Sequence, residues 1–201
     1  MHCRNVLDPF GGTGKLALIK DFGFKGLVVC NEIEAEWAQS SPHPVDEWHI
    51  GDAQDMSWAK DSSFDAICTS PTYGNRMADH FNSKDGSRRI TYRHYLGRPL
   101  KDNNSGKMQW GAKYKLLHTK VYEECFRVLV DRGIFILNIS NHIRKGVEID
   151  VSAWHCEELQ KIGFTRLDTT TQKTPKMGFG DNAKARTFGE YIITFEKAIG
   201  R

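Results

Sequence analysis

Short apolar runs and helix-spaced apolar positions alternate along this chain. Val6-Leu7 opens a short strand, and Leu16 to Lys20 begins a helix. Gly26 to Cys30 reads as a second strand, and Glu34 to Gln39 as the start of another helix. Trp48 to Ile50 is a short third strand and Phe64 to Cys68 a fourth. Leu117, Val121, Cys125 and Val128 recur at helical spacing within Lys113 to Leu129. Gly133 to Ile139 is apolar at successive positions, as a parallel strand covered on both faces should be. Ser152 to Ile162 predicts a helix ended by Gly163, and Phe164 to Thr171 and Glu190 to Glu196 predict two closing strands. This alternation predicts an open, mostly parallel, doubly wound α/β sheet with helices on both faces.

Two stretches interrupt the pattern. Residues 75–112 carry glycine, arginine and aromatics without a stable period, and residues 172–189 form a second basic loop. Structureless connections of this length inside a domain usually serve function.

Composition narrows the class. A chain of 201 residues with 39% hydrophobic positions suits one domain with its own core. No apolar run approaches the roughly 20 residues of a membrane helix, and Met1-His2-Cys3-Arg4-Asn5 lacks a secretory pattern. Cys3, Cys30, Cys68, Cys125 and Cys156 are odd in number and scattered, which points to a reducing, cytoplasmic setting. No Cys-x-x-Cys pair occurs, and His142, His155 and Cys156 lack zinc-ligand spacing, so no metal site is expected.

Charge is uneven. Arg76 to Lys115 holds ten Lys/Arg against three Asp, a local +7 on a chain whose net charge is +3. A basic segment on an otherwise acidic body suits a polyanionic partner, or else a solvated loop.

Chemistry enters at two motifs. Asp8-Pro9-Phe10-Gly11-Gly12-Thr13-Gly14 follows the first strand, and Gly12-Thr-Gly14-x-x-Ala17 fits a dinucleotide-type glycine turn. Asp8 would repel a pyrophosphate and attract an ammonium or sulfonium, which favours S-adenosylmethionine over a nicotinamide dinucleotide. A phosphate-binding loop also fails, because Leu16 follows Lys15 where Ser or Thr is required. Glu32, 18 residues beyond Gly14, is placed for ribose hydroxyls, and Asp52 after the third strand for an adenine amino group.

The second motif, Ser70-Pro71-Thr72-Tyr73, ends the fourth strand. A base amino group is a poor nucleophile because its lone pair is delocalised. Acceptors at Ser70 and the Pro71 carbonyl could hold both N–H groups and aim the lone pair at a methyl donor. Tyr73 offers a stacking face for an extruded base.

Together the two motifs resemble the amino-methylating class of S-adenosylmethionine-dependent methyltransferases, nearest to DNA methylases of cytosine N4 or adenine N6. The resemblance covers about residues 5–75 by motif and extends to 197 by element order. It implies a single catalytic domain over 1–201 with a seven-stranded, Rossmann-like class I sheet whose last strand is antiparallel. It also implies Phe10 at the cofactor's methionine end, Glu32 on its ribose, Asp52 on its adenine, and DNA as partner.

Three departures accompany it. Thr72 stands where a second proline is usual. The chain starts close to its first strand, as expected of a chain truncated at its N-terminus. No separate recognition domain fits the length, so the insertion at about 75–112, with Arg76, Arg88, Arg89, Arg93 and Arg98, is the expected nucleic-acid contact. Methylation of RNA, or a non-catalytic partner subunit that binds cofactor or nucleic acid, are the alternative readings.

Overall fold

The computed structural model describes residues 3–74, 92–144, 146–173, 187 and 189–199, and the side chains of Arg93 and His94 lie outside that set. Five strands run parallel: β1 (Asn5–Asp8), β2 (Leu27–Glu32), β3 (Glu47–Ile50), β4 (Phe64–Thr69) and β5 (Leu129–Ser140). The chain winds outward from β1 to β3, returns to β4 beside β1, and continues to β5 on the other side.

The helices are α1 (Ala35–Gln39), α2 (Tyr92–Leu96), α3 (Ala112–Val128) and α4 (Val151–Ile162), with α2 and α3 in the connection between β4 and β5. A small hairpin, β6 (His142–Arg144) and β7 (Val147–Ile149), precedes α4. The chain closes with β8 (Phe164–Lys173) and β9 (Gly189–Lys197), and β9 inserts antiparallel between β5 and β8. The sheet order is β3-β2-β1-β4-β5-β9-β8, the seven-stranded arrangement expected.

Alternation within each strand splits the interior in two. Leu7, Val29, Ile67, Phe135 and Leu137 face α3 and α4, where they pack with Leu117, Val121, Cys125 and Leu159. Val6, Val28 and Cys30 face the other way, onto Leu16 and Ala17. Each fully buried Leu, Ile or Phe of the larger cluster contributes about 1.5–3 kcal/mol relative to exposure. The Asp150 carboxylate caps α4 by accepting from the Ala153 N–H at 3.0 Å, and Gly163 ends that helix as expected.

Local departures have physical causes. The helix after β1 is a 3₁₀ helix, Lys15–Phe22, bounded by left-handed Gly14 and Gly23. A 3₁₀ helix rises about 2.0 Å per residue against 1.5 Å in an α-helix, so a short segment reaches further back along the sheet. β5 starts earlier than its apolar run suggested, because Leu129 already pairs with Phe64. Part of the insertion, expected to lack regular structure, holds α2 and a 3₁₀ turn at Ser105–Lys107.

Candidate functional site

The strand order reverses between β1 and β4, and crevices at such switch points are where open α/β sheets bind ligands. There the two sequence motifs meet. The Thr69 hydroxyl donates to Asp8 Oδ1 at 2.7 Å, and the Phe10 N–H donates to the same oxygen at 3.0 Å. Among the described residues Asp8 Oδ2 takes no hydrogen bond, so that oxygen is left for a ligand. Burial pushes the Asp8 carboxyl up to about 6, with the Thr69 and Phe10 bonds opposing the rise.

Glu32 ends β2 across the crevice. Its Oε2 accepts from the Gly12 N–H at 2.7 Å and its Oε1 from the Glu34 N–H at 2.8 Å. Those bonds fix the carboxylate while each oxygen keeps a lone pair. Burial pushes Glu32 up to about 7, against the two backbone bonds and aided by nearby Asp8 and Glu34. Two acids raised in this way are relieved by a cationic or hydroxyl-bearing ligand.

A cavity of about 660 Å³ joins these groups, within the range of about 300–1,000 Å³ typical of cofactor sites. Asp8, Phe10, Gly12, Glu32 and Asp52 line it together with Ser70 and Thr72. Phe10 is held by stacking on His118, with ring centroids 5.4 Å apart. A side chain added at Gly12, whose φ is +52°, would meet only the Phe10 carbonyl at 3.9 Å, so the backbone there stands open to the cavity. Asp52 Oδ2 accepts from Gln54 Nε2 at 2.9 Å and from Asn103 Nδ2 at 2.8 Å, which spends part of its capacity.

Gly14 has a different place. It lies outside the cavity lining, and at its φ of +78° an added Cβ would sit 2.6 Å from Val45 Cγ2. It holds the turn, packed against Val45 and Trp48. Gly11 is the turn residue that sequence reasoning passed over: its N–H donates to the Asn31 carbonyl at 2.8 Å, and a Cβ would lie 2.7 Å from Cys30 Cβ.

The clamp residues divide between cavity and core. Ser70 is exposed on the cavity, Pro71 is buried, and the Tyr73 ring packs against the main core. The Tyr73 hydroxyl donates to Glu190 Oε1 at 3.3 Å and lies 3.3 Å from Ser70 Oγ. With its proton on Glu190, Tyr73 can only accept from Ser70, whose own oxygen then offers lone pairs. Burial pushes the Tyr73 phenol up to about 12, so it stays protonated. Glu190 is also held by Asn138 Nδ2 at 3.1 Å. Asn141, just past the end of β5, accepts from the Ser152 N–H at 3.0 Å and so holds the start of α4.

The insertion contributes cavity wall. Tyr92, Tyr95, Leu96, Asn103, Asn104 and Ser105 line it. Arg98, expected on a phosphate, is instead bound by two carboxylates: Nη2 lies 2.8 Å from Glu34 Oε2 and 2.6 Å from Glu36 Oε2, and Nε donates to Glu36 Oε1 at 2.8 Å. Glu34, with its side chain wholly buried, also accepts from the Lys101 N–H at 2.7 Å and Asn104 Nδ2 at 3.1 Å. Two acids fifty or more residues away along the chain claim this arginine, which no local charge count could register. Arg76, Arg88, Arg89 and the Arg93 side chain lie outside the described residues.

No family model matches the sequence, and no curated protein sequence matches it. Solved structures do. An S-adenosylmethionine-dependent methyltransferase from Methanosarcina mazei aligns with a TM-score of 0.60 at 12% identity, over 100% of this chain and 95% of that one. A chain of the complex between the Haloferax volcanii Trm112 methyltransferase activator and a methyltransferase aligns with a TM-score of 0.62 at 12% identity, over 100% of this chain and 84% of that one. The [4+2]-cyclase SpnF aligns with a TM-score of 0.59 at 14% identity, over 98% and 76%. At such identities the likeness is one of fold, and a cyclase among the three shows that fold alone does not name a reaction. The chain has the Rossmann-like fold of class I methyltransferases.

Proposed function

We propose that this chain moves a methyl group from S-adenosylmethionine to an exocyclic amino nitrogen of a DNA base, cytosine N4 or adenine N6. The observation that carries the reading is a single cavity lined both by Asp8, Phe10, Gly12 and Glu32 and by Ser70 of the clamp. The lining suits the cofactor. Asp8 Oδ2 is available to an ammonium, Glu32 retains lone pairs for ribose hydroxyls, Gly12 leaves room at the backbone, and Asp52 stands by for the adenine amino group. When bound, the cofactor supplies an electrophilic methyl on a sulfonium.

The chain's own residues then position the nucleophile. Ser70 Oγ, with its proton directed at Tyr73, accepts one N–H of the base amino group, and the Pro71 carbonyl accepts the other. Such acceptors favour a pyramidal nitrogen with its lone pair free, so catalysis is orientation and electrostatics rather than prior deprotonation. After transfer the nitrogen carries a surplus proton, and the path Ser70–Tyr73–Glu190 leads away from the cavity to a carboxylate.

DNA rests on the motif resemblance and on the basic insertion. Incubation with labelled S-adenosylmethionine and separate DNA, RNA and protein pools tests the reading, with mass spectrometry of the released nucleosides. N4-methylcytosine or N6-methyladenine is expected. Label confined to RNA would move the substrate class, and a ring-carbon methyl would refute amino transfer.

A further inference from the structure

A threonine at position 72 lacks the ring that fixes φ in a proline, so the stiffness of the clamp loop has to come from its neighbours. Three bonds supply it. Thr72 Oγ1 donates to Ser105 Oγ at 2.9 Å, the Trp110 N–H donates to the Gly74 carbonyl at 2.6 Å, and the Tyr114 hydroxyl donates to the Thr72 carbonyl.

The third bond has a chain behind it. The Tyr114 oxygen lies 3.0 Å from His155 Nε2, and His155 Nδ1 lies 2.6 Å from the Tyr122 hydroxyl. The inventory of protons decides every direction. A carbonyl has no proton to offer, so Tyr114 spends its own on Thr72. His155 must then carry its proton on Nε2 and donate it to the Tyr114 oxygen. Its bare Nδ1 accepts from Tyr122. All three side chains belong to fully buried residues on α3 and α4. Burial holds the His155 ring well below its ordinary pKa, with His118 and Lys115 adding to the effect, so it stays neutral as this scheme requires.

We propose that Tyr114 is a positioning residue for the transfer: anchored in the core through His155 and Tyr122, it holds the Thr72 carbonyl, and through it the Ser70–Pro71 acceptors, in register with the base amino group. The proposal rests on the amino-transfer reading above. A tether of this kind acts on alignment, and misplacement by about 1 Å can cost about a hundredfold in rate.

Two variants separate positioning from packing. Tyr114→Phe and Thr119→Val each delete one hydroxyl hydrogen bond made by α3, the first to the Thr72 carbonyl and the second to Glu158 Oε1 on α4 at 2.6 Å, and only the first releases Thr72. Both should lower the melting temperature to a similar degree. Only Tyr114→Phe should speed amide exchange at residues 72–74 and reduce kcat, by roughly ten- to a hundredfold, with little change in cofactor affinity or base KM. Equal losses of kcat in the two variants would mean a merely structural role and overturn the proposal. So would unchanged exchange in Tyr114→Phe, or faster exchange with kcat intact. Should Tyr114→Phe fail to fold, the ¹³C resonance of the Thr72 carbonyl in the unaltered protein decides. A hydrogen-bonded shift supports the tether, and a free-carbonyl shift overturns it. A wild-type chain that methylates no amine takes the proposal down together with the reaction reading, an outcome that the two variants cannot mimic.

Discussion

Thr69 donates its hydroxyl to Asp8 across 61 residues of chain, at 2.7 Å, and so couples the cofactor-side motif to the strand that carries the clamp. The bond sits on Oδ1 of a carboxylate that lines the cavity. Hydrogen bonds to charged groups contribute about 1.5–3 kcal/mol. Thr69→Val should therefore weaken S-adenosylmethionine binding by about tenfold or more, measured by calorimetry. An unchanged Kd would detach Asp8 from the cofactor.

Cofactor binding should depend on pH with a defined sign. Asp8 is raised to about 6 and Glu32 to about 7, and the ligand's cations and hydroxyls favour the ionised carboxylates. Affinity should rise from pH 5 to pH 8, with protons released on binding. Stability of the free protein should move the other way. Each folded pKa lies above its unfolded value, so the folded state binds more protons between the two values. The contribution is therefore full at low pH and lost as pH climbs through about 6 and about 7. Titration calorimetry in buffers of different ionisation enthalpy reads the protons directly. A flat affinity profile would contradict both assignments.

Arg98 can be tested as a latch against its alternative as a phosphate contact. Arg98→Ala leaves the buried Glu34 carboxylate without its cation, a destabilising change that solvent screens in part because the Arg98 side chain is itself 34% exposed. Melting temperature and cofactor affinity should fall together. Nucleic-acid affinity and its salt slope should hold, since a phosphate contact would lower that slope by about one.

Ser70→Ala should reduce kcat by about a hundredfold or more while the cofactor Kd stays within about twofold, as for removal of one oriented polar group at a reacting centre. Glu190→Gln keeps a partner for Asn138 and Tyr73 but removes the terminal proton acceptor, and a smaller loss of kcat is expected. If single-turnover rates of both variants match wild type, the clamp and its outlet are misassigned.

Gly14→Ala should act on stability and not on ligand contact. A left-handed φ of +78° and an approach of 2.6 Å to Val45 make the substitution strained, by about 1–3 kcal/mol. Denaturant unfolding gives the stability, and the cofactor Kd of the folded fraction should be near wild type.

The strand succession and the parallel centre are legible in the amino-acid sequence, because they follow from hydrophobic period and glycine placement, which are local properties of the chain. The antiparallel return of the last strand came only with the motif resemblance. The sequence also placed Asp8, Phe10, Gly12, Glu32, Asp52 and Ser70 on one rim, because strand ends in such a sheet converge. Only the tertiary structure decided what each group is bonded to. Arg98 reads as a free cation until folding brings Glu34 and Glu36 to it, and the packing of Gly14 against Val45 and Trp48 has no local signal. Glu190 and Tyr114 carried no signal in the sequence, since an acid at the start of a strand and a tyrosine on an apolar helix face are ordinary. Their meaning comes from contacts at separations of 117 residues, Glu190 to Tyr73, and 42 residues, Tyr114 to Thr72. Hydrogen bonds require atoms to meet within about 3 Å, and only the completed sheet and the helices packed on it set those distances.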